Sequence, residues 1–204
     1  RAAPGGARLS RLRSGGPMPD RVQFTAMADG TAAEFQLVDR VEEEAAADLA
    51  DRVLAHLALL HDQPTAFRVT RYEHSLQSAT RALRDGADDR TVVAALLHDI
   101  GDTLAPFNHG ALAAAILRPY VGEKLAWIVE NHGVFQGWWF FHHTGGDRNA
   151  RERFRGHPWF DDAHAFCERW DQCAFDPDYD TLPIEAFAPI VRRVFATPWP
   201  DGQP

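Results

Sequence analysis

The apolar segment TVVAALLHDI, residues 91–100, constrains the fold of this chain more than any other feature. Its residues are apolar around almost the whole circumference of a helix, so a helix here must lie at the centre of a core. Yet His98 and Asp99 stand side by side near its end. A buried carboxylate costs several kcal/mol unless its charge is compensated, and a divalent cation is the simplest partner that satisfies both side chains. The segment therefore predicts a central helix that carries metal ligands.

Helical periodicity extends through most of the remaining sequence. From Phe35 onwards, apolar residues recur at intervals of three and four, which indicates amphipathic helices. The central helix is expected to begin after Asp88 or Asp89, residues that suit an N-cap, and to end at Gly101. The other predicted helices span residues 35–60, 72–85, 108–118, 121–131, 161–173 and 183–195. Because no alternating strand pattern or hairpin turn is present, the sequence predicts an all-α fold of about seven helices.

The length and composition predict a single folded domain. A chain of 204 residues with 45% hydrophobic residues is long enough for one compact domain and short for two. We expect this domain to span residues 34–197. Residues 1–33 begin with an Arg-rich and Gly-rich stretch and are predicted to be a disordered extension. Residues 198–204 are predicted to form a flexible tail.

Charge and cysteine content limit the partners that we expect. The formal net charge is −8, so neither nucleic acid nor an anionic membrane would be attracted, and a small-molecule partner is favoured. Cys167 and Cys173 are six residues apart in a predicted helix, a separation of about 9 Å that is too long for a disulfide. Free thiols suit a reducing cytoplasm. No apolar run approaches the roughly 18 residues that a membrane span needs.

Further histidines and aspartates of ligand type lie on or at the ends of other predicted helices. The full candidate set is His74, His98, Asp99, His109, His132 and Asp171. Four imidazoles and two carboxylates exceed the needs of one four-coordinate zinc ion, whereas a carboxylate that bridges two octahedral ions would use all six. Two metal ions are therefore expected rather than one.

The order of these residues, H…HD…H…H…D, resembles the HD-domain superfamily over residues 35–195. The six-residue set is most similar to that of the mixed-valent diiron HD oxygenases, which include myo-inositol oxygenase and the phosphonate-cleaving oxygenases. The segment HTGGD at residues 143–147 is similar to a stretch of myo-inositol oxygenase. The resemblance implies an HD-domain helical bundle around a dinuclear site with two iron ions, Fe(II) and Fe(III). Manganese or other divalent metals are the alternative.

The resemblance also implies roles for the six residues. His74, His98, Asp99 and Asp171 would hold one iron, and Asp99, His109 and His132 the other, with Asp99 as the bridge. Asp99 and His132 are then the expected catalytic residues. The implied function is an oxidoreductase, a dioxygenase that oxidises a small polar metabolite with dioxygen as co-substrate. Because other members of the superfamily are phosphohydrolases, a metal-dependent enzyme acting on a nucleotide or phosphomonoester stays open.

Three further residues are candidates for substrate binding. Gln136 and Glu168 stand where the phosphonate enzymes carry Lys and Arg, and Asp102 stands where myo-inositol oxygenase carries Lys, which implies a different substrate. Asp102 and Gln136 are therefore expected to contact substrate, although Asp102 could equally accept a hydrogen bond behind the metal ligands. For Arg169, substrate contact and a structural ion pair are both open. The aromatic run at residues 134–143 could wall a binding site, pack as an aromatic core patch or form a homodimer contact.

Overall fold

A computed structural model describes residues 21–199, and these residues form an all-α structure. Seven α-helices are present and no β-strand occurs within this range, which confirms the predicted fold class. The helices are α1 (Ala32–Ala47), α2 (Leu49–Leu57), α3 (Arg71–Arg84), α4 (Asp89–Leu97), α5 (His109–Phe140), α6 (Phe160–Phe166) and α7 (Ile184–Phe195). The predictions for residues 1–20 and 200–204 lie outside the described residues. The chain divides into two compact units, one up to Ala47 and one from Asp48 onwards.

Helix α4 occupies the centre of the second unit. Every residue from Val92 to Leu97 is buried, as the all-round apolar pattern predicts. Asp88 is the N-cap and its carboxylate accepts a hydrogen bond from Thr91 N at 2.8 Å. Helices α3, α5 and α7 pack around α4. The helix that carries His98 and Asp99 at its end is thus held on several sides, so the position of these two ligands is fixed by the core.

The single helix predicted for residues 35–60 is in fact two helices. α1 ends at Ala47 and α2 begins at Leu49, with Asp48 between them in a non-helical conformation. α2 buries Val53 and Leu57, whereas α1 buries no residue. The apolar periodicity continues across the break, but only the apolar residues of α2 are buried in a core.

The break predicted before Val121 is present but lies slightly later, inside α5. Gly122 has φ 82° and ψ 171°, a conformation that favours glycine and that interrupts the helix. Pro119 precedes it, and its carbonyl accepts a hydrogen bond from Trp199 N at 2.7 Å. The second half of α5 continues to Phe140, nine residues beyond the predicted end at Asn131. Most of the aromatic run is therefore helical.

The predicted helix over residues 161–173 consists of α6 and a π-helical turn, Cys167–Asp171. The predicted last helix is α7, whose N-cap is Pro183. Both cysteines are free, as expected from their spacing. Among the described residues, we find no helix with the length and apolar character that crossing a membrane requires.

Candidate metal centre

Helix α3 positions His74. The helix begins with a capping box in which Thr70 Oγ1 accepts from Glu73 N at 3.0 Å and Glu73 Oε2 accepts from Thr70 N at 2.7 Å. His74 lies in the next turn and is buried. Its Nδ1 donates to Ala174 O at 3.0 Å, which fixes the ring so that Nε2 faces the centre of the bundle.

His98 and Asp99 reach the same region because α4 ends at this point. Neighbouring residues within a helix diverge by about 100° and could share one cation only at the helix surface. Here His98 is the C-cap, and the chain continues in tighter turns in which Ile100 N donates to Leu97 O at 3.1 Å and Asp102 N donates to Asp99 O at 3.0 Å. Both ligand side chains are buried. Because the helix ends here, the adjacent side chains of His98 and Asp99 can both face the same region.

The two halves of α5 provide His109 and His132. His109 is the first residue of the helix and His132 lies after the break at Gly122. The halves lie against each other, because a Cβ atom on Gly110 would come within 2.9 Å of the carbonyl oxygens of Val129 and Glu130. As a result the two Nε2 atoms are only 3.2 Å apart, although 23 residues separate them.

Asp171 comes from the π-helical turn that follows α6. A π-helical turn adds one residue to a helical turn and so changes the direction of the side chains that follow. Asp171 is completely buried, and its Oδ1 lies 3.3 Å from His74 Nε2 and 3.6 Å from His98 Nε2. All six predicted ligands therefore meet in one place.

The six residues form two adjacent groups that share Asp99. In the first group, His74 Nε2 and His98 Nε2 are 3.1 Å apart, and each lies 3.6 Å from Asp99 Oδ2. Asp171 completes this group. In the second, His109 Nε2 and His132 Nε2 each lie 3.2 Å from Asp99 Oδ1. The Asp99 carboxylate therefore presents one oxygen to each group, as the resemblance to diiron proteins implies.

The hydrogen bonds behind the histidines show that this donor set fits metal ions. Nδ1 of His74, His98 and His132 each donates to a backbone carbonyl, at 3.0, 2.8 and 2.6 Å, so in the neutral imidazoles Nε2 carries a lone pair. Lone pairs and carboxylate oxygens thus face one another in a buried space. Such an arrangement is unfavourable unless cations lie between the groups, and imidazole with carboxylate suits iron, manganese and zinc.

Without metal ions, protonated imidazoles would supply the compensating positive charge instead. Burial by itself lowers the pKa of His98, but the charges of Asp99 and Asp171 outweigh it and raise that pKa to about 9. Burial opposes ionisation of Asp99, yet the charge of His98 and the hydrogen bonds from His109 and His132 hold the pKa of Asp99 well below its usual value. One oxygen of Asp171, Oδ2, is buried without a hydrogen-bond partner. The site therefore favours carboxylates that are charged and compensated by positive charge.

Arg71 is a site residue that the sequence did not reveal. Its Nη1 lies 3.2 Å from Asp99 Oδ2 and its Nε 3.1 Å from Asp102 Oδ2. The available signal was its place three residues before His74, on nearly the same face of α3. Asp102 Oδ1 also lies 3.2 Å from His109 Nδ1, so Asp102 stands behind a ligand, one of the two alternatives considered for it.

The other two candidates for substrate binding lie in different surroundings. Gln136 is one turn beyond His132, and its Nε2 donates to Asp171 Oδ1 at 2.7 Å. Arg169 instead pairs with Asp85 Oδ2 at 2.8 Å and is half exposed, so the structure contains the ion pair that was its alternative role. Of the two, Gln136 is close to the ligands.

A cavity of about 370 Å³ opens onto the second group of ligands. Asp99, His109 and His132 form its floor. Its described lining residues also include Phe67, Arg71, Gly133, Gln136, Trp139, Phe140, Gln172 and Phe175. Asp102, Arg169 and the segment at residues 143–147 are not among them. The second group of ligands is therefore the one that a small molecule can reach through this cavity.

Comparison with known proteins agrees with this geometry. The family model that describes the HD domain matches residues 71–139. The matched segment contains five of the six clustered residues, and Asp171 lies beyond it. No curated protein matches the chain. The match supports an assignment of this segment to the HD-domain superfamily, whose members include metal-dependent hydrolases and oxygenases.

Proposed function

We propose that this protein is a diiron oxygenase that oxidises a small polar metabolite, with dioxygen as co-substrate. The observation that carries the proposal is the unequal setting of the two ligand groups. The first has four described protein ligands and is buried, whereas the second has three and faces the cavity. A centre with one closed and one open position suits a reaction in which the substrate must contact one metal ion directly.

The residues of the site would have different roles in this reaction. His74, His98 and Asp171 would hold one iron, His109 and His132 the other, and Asp99 would hold both. Bound iron would supply one-electron redox chemistry towards dioxygen and a place for an oxygen atom of the substrate. Asp102 Oδ1 lies 3.2 Å from His109 Nδ1 without forming a hydrogen bond, and would attract this ring through its charge. With a substrate in the cavity, the aromatic side chains around it would exclude water from the reacting groups.

The charges of the cavity favour this reaction over phosphoester hydrolysis. Among the described lining residues, Arg71 is the only Lys or Arg side chain, and Asp99 and Asp102 already pair with it. A phosphate dianion would therefore have no free cationic side chain to bind. A hydroxylated substrate that bears little charge needs none.

Electron paramagnetic resonance is the test of the oxygenase proposal. Protein purified in air and loaded with iron should contain about two iron ions per chain and, after partial reduction, give the signal of a coupled Fe(II)/Fe(III) pair. We expect this signal to shift on addition of a substrate. A protein with two bound irons and no coupled signal at any stage of reduction would contradict the proposal.

Phosphohydrolysis is the second candidate, and Arg71 is the observation that favours it. Rotation of this side chain away from Asp99 would place a guanidinium at the cavity wall, beside the second group of ligands. In that case manganese, nickel or magnesium should restore phosphatase activity on p-nitrophenyl phosphate to the metal-free protein. The Arg71→Lys variant should then lose most of that activity, since Lys cannot form two bonds to one phosphate.

A further inference from the structure

The walls of the cavity differ in character from its floor. Four aromatic side chains line it, namely Phe67, Trp139, Phe140 and Phe175. Phe67 is 51% exposed and Phe140 is 45% exposed, so large apolar surfaces lie open to solvent beside a site whose floor is built from charged ligands. Phe67 and Phe175 are in contact, with ring centroids 4.6 Å apart. Exposed apolar surface inside a concave site indicates a ligand that covers it.

The second half of α5 arranges polar and apolar groups in order of distance from the metal ligands. His132, Gln136 and Phe140 are spaced by four residues and share one face of the helix. With a rise of 1.5 Å per residue, Gln136 lies about 6 Å along the helix from His132 and Phe140 about 12 Å. The cavity is therefore polar at its floor and aromatic at its outer part.

Gln136 offers a specific contact near the floor. Its Nε2 is held by Asp171, while its Oε1 is buried and has no hydrogen-bond partner. A buried amide oxygen without a partner costs free energy, so this atom is suited to accept a hydrogen bond from a hydroxyl or amino group of a ligand. The aromatic walls offer no such contact.

From these observations we infer that the substrate is amphipathic. An oxygen-bearing head, with a hydroxyl directed towards Gln136 Oε1, occupies the cavity floor beside His109 and His132. An apolar body, aromatic or branched aliphatic, packs against Phe67, Trp139 and Phe140 in the outer part. The identity of the head depends on the proposed oxygenase function, whereas the preference for an apolar body depends only on the cavity walls.

Two matched pairs of ligands test the two halves of this inference separately. The first pair, 1-phenyl-1,2-ethanediol and 1,2-propanediol, shares a diol head and exchanges phenyl for methyl. The second pair, phenyl phosphate and methyl phosphate, makes the same exchange on a phosphate head. Binding is measured by calorimetry on the full chain loaded with Mn²⁺ under nitrogen, so that no oxidation occurs during the measurement.

We expect the phenyl diol to bind about tenfold or more tightly than the methyl diol, because the phenyl group leaves water for the aromatic walls. A phenyl preference seen only with the phosphate pair would support the apolar body and contradict the oxygenase. Equal binding of phenyl and methyl members in both pairs would overturn the inference, and so would the absence of binding by all four compounds.

Substitution of exposed phenylalanines tests where the apolar body of the ligand lies. Phe140→Ser and Phe67→Ser each remove a partly exposed side chain from the cavity wall and should reduce the phenyl preference severalfold. Phe107→Ser changes a fully exposed side chain that does not line the cavity and should leave the preference unchanged. An unaltered preference in both wall variants would contradict the placement of the apolar body.

Discussion

At the scale of single residues, the site depends on which atoms each side chain presents. Asp99 is the clearest case, because its two oxygens face different groups of ligands at 3.2 Å and 3.6 Å. Asp102 is three residues away, and its carboxylate lies beside Arg71 and the Nδ1 side of His109. Asp99 and Asp102 therefore have different roles, and replacing each of them by asparagine separates these roles.

The Asp99→Asn variant should lose most of both metal ions. Asparagine keeps the size of the side chain but removes the charge that both ions share, and bound metal is coupled to folding stability. The Asp102→Asn variant should keep the ion of the first group and bind the ion of the second about 10-fold to 100-fold more weakly. Elemental analysis after dialysis measures the metal content of both variants. Parental metal content in Asp99→Asn would refute the bridging role.

A second residue-scale prediction concerns Gly101. A Cβ atom at this position would lie 2.4 Å from His109 O and 2.9 Å from His109 Cα, both backbone atoms. We therefore expect Gly101→Ala to destabilise the protein by about 1–3 kcal/mol and to weaken the second metal position, since the start of α5 must shift. Thermal unfolding and metal titration measure these effects.

Gly133 in the second half of α5 supplies the control for this variant. A Cβ atom there would have no neighbour within 4 Å. Because alanine is the better helix former, Gly133→Ala should raise stability by about 0.5–1 kcal/mol. If both alanine variants changed stability in the same direction, the close approach of Gly101 to His109 would not be what the site requires.

At the scale of elements, the sequence predicts helices better than it predicts their ends. A capping residue gave a reliable start for α4, because a cap is a local interaction between neighbours in sequence. The break at Asp48 and the π-helical turn that delivers Asp171 were not predicted. Apolar periodicity continues through both of them, so no local pattern distinguishes them from a regular helix.

Two capping boxes of the same kind allow a matched test at this scale. Thr70 and Glu73 begin α3, which carries Arg71 and His74, while Thr31 and Glu34 begin α1, which carries no ligand. Thr70→Ala should cost about 1 kcal/mol of unfolding free energy and weaken metal binding. Thr31→Ala should leave metal binding unchanged. Equal metal affinity in both variants would show that the α3 cap does not position His74.

The capping box of α1 also predicts a pH dependence. Hydrogen bonds from the backbone N–H groups of Thr31 and Gln23 lower the pKa of Glu34 to about 2. A carboxyl group whose folded pKa is depressed stabilises the fold above its unfolded pKa, and this contribution is lost as the pH falls from about 4.5 to about 2.

Side-chain NMR titration of Glu34 measures this pKa directly. Thr31→Ala should move the midpoint upwards, towards the ordinary value of a glutamate, because the hydroxyl of Thr31 also donates to Glu34. A Glu34 midpoint near that ordinary value in the parent protein would contradict the capping interaction.

At the scale of the whole molecule, the metal centre joins segments that are distant in sequence. Its ligands come from α3, the end of α4, both halves of α5 and the turn after α6. Bound ions would therefore link most of the second unit, and their removal should loosen it as a whole rather than at one end.

Chelation provides the corresponding prediction. Treatment with EDTA should lower the melting temperature, and iron or manganese added back at about 100 times the Kd should restore about 2.7 kcal/mol of stability for each ion that binds. In the Asp171→Asn variant, added metal should raise the stability much less. The Asp180→Asn variant, which alters only an exposed pair with Arg84, should retain the full gain. A melting temperature indifferent to EDTA and to added metal would contradict the linkage.

The sequence by itself determined the helical character of the chain and the residue types available for a metal centre. Periodicity and caps are local, so they can be recognised without the fold. The pairing of His98 with Asp99 in an apolar helix was informative for the same reason, because burial of both side chains requires a compensating charge.

Only the tertiary structure decided how these residues are used. The distances that divide the six ligands into two groups depend on the packing of α3, α4 and α5, as do the contact of Arg71 with Asp99 and the cavity beside His132. The contact of Arg71 with Asp99 joins residues 28 positions apart, and the contact of His132 with Asp99 joins residues 33 positions apart. Sequence spacing can place a side chain on a helix face, but the angles between helices determine which faces meet.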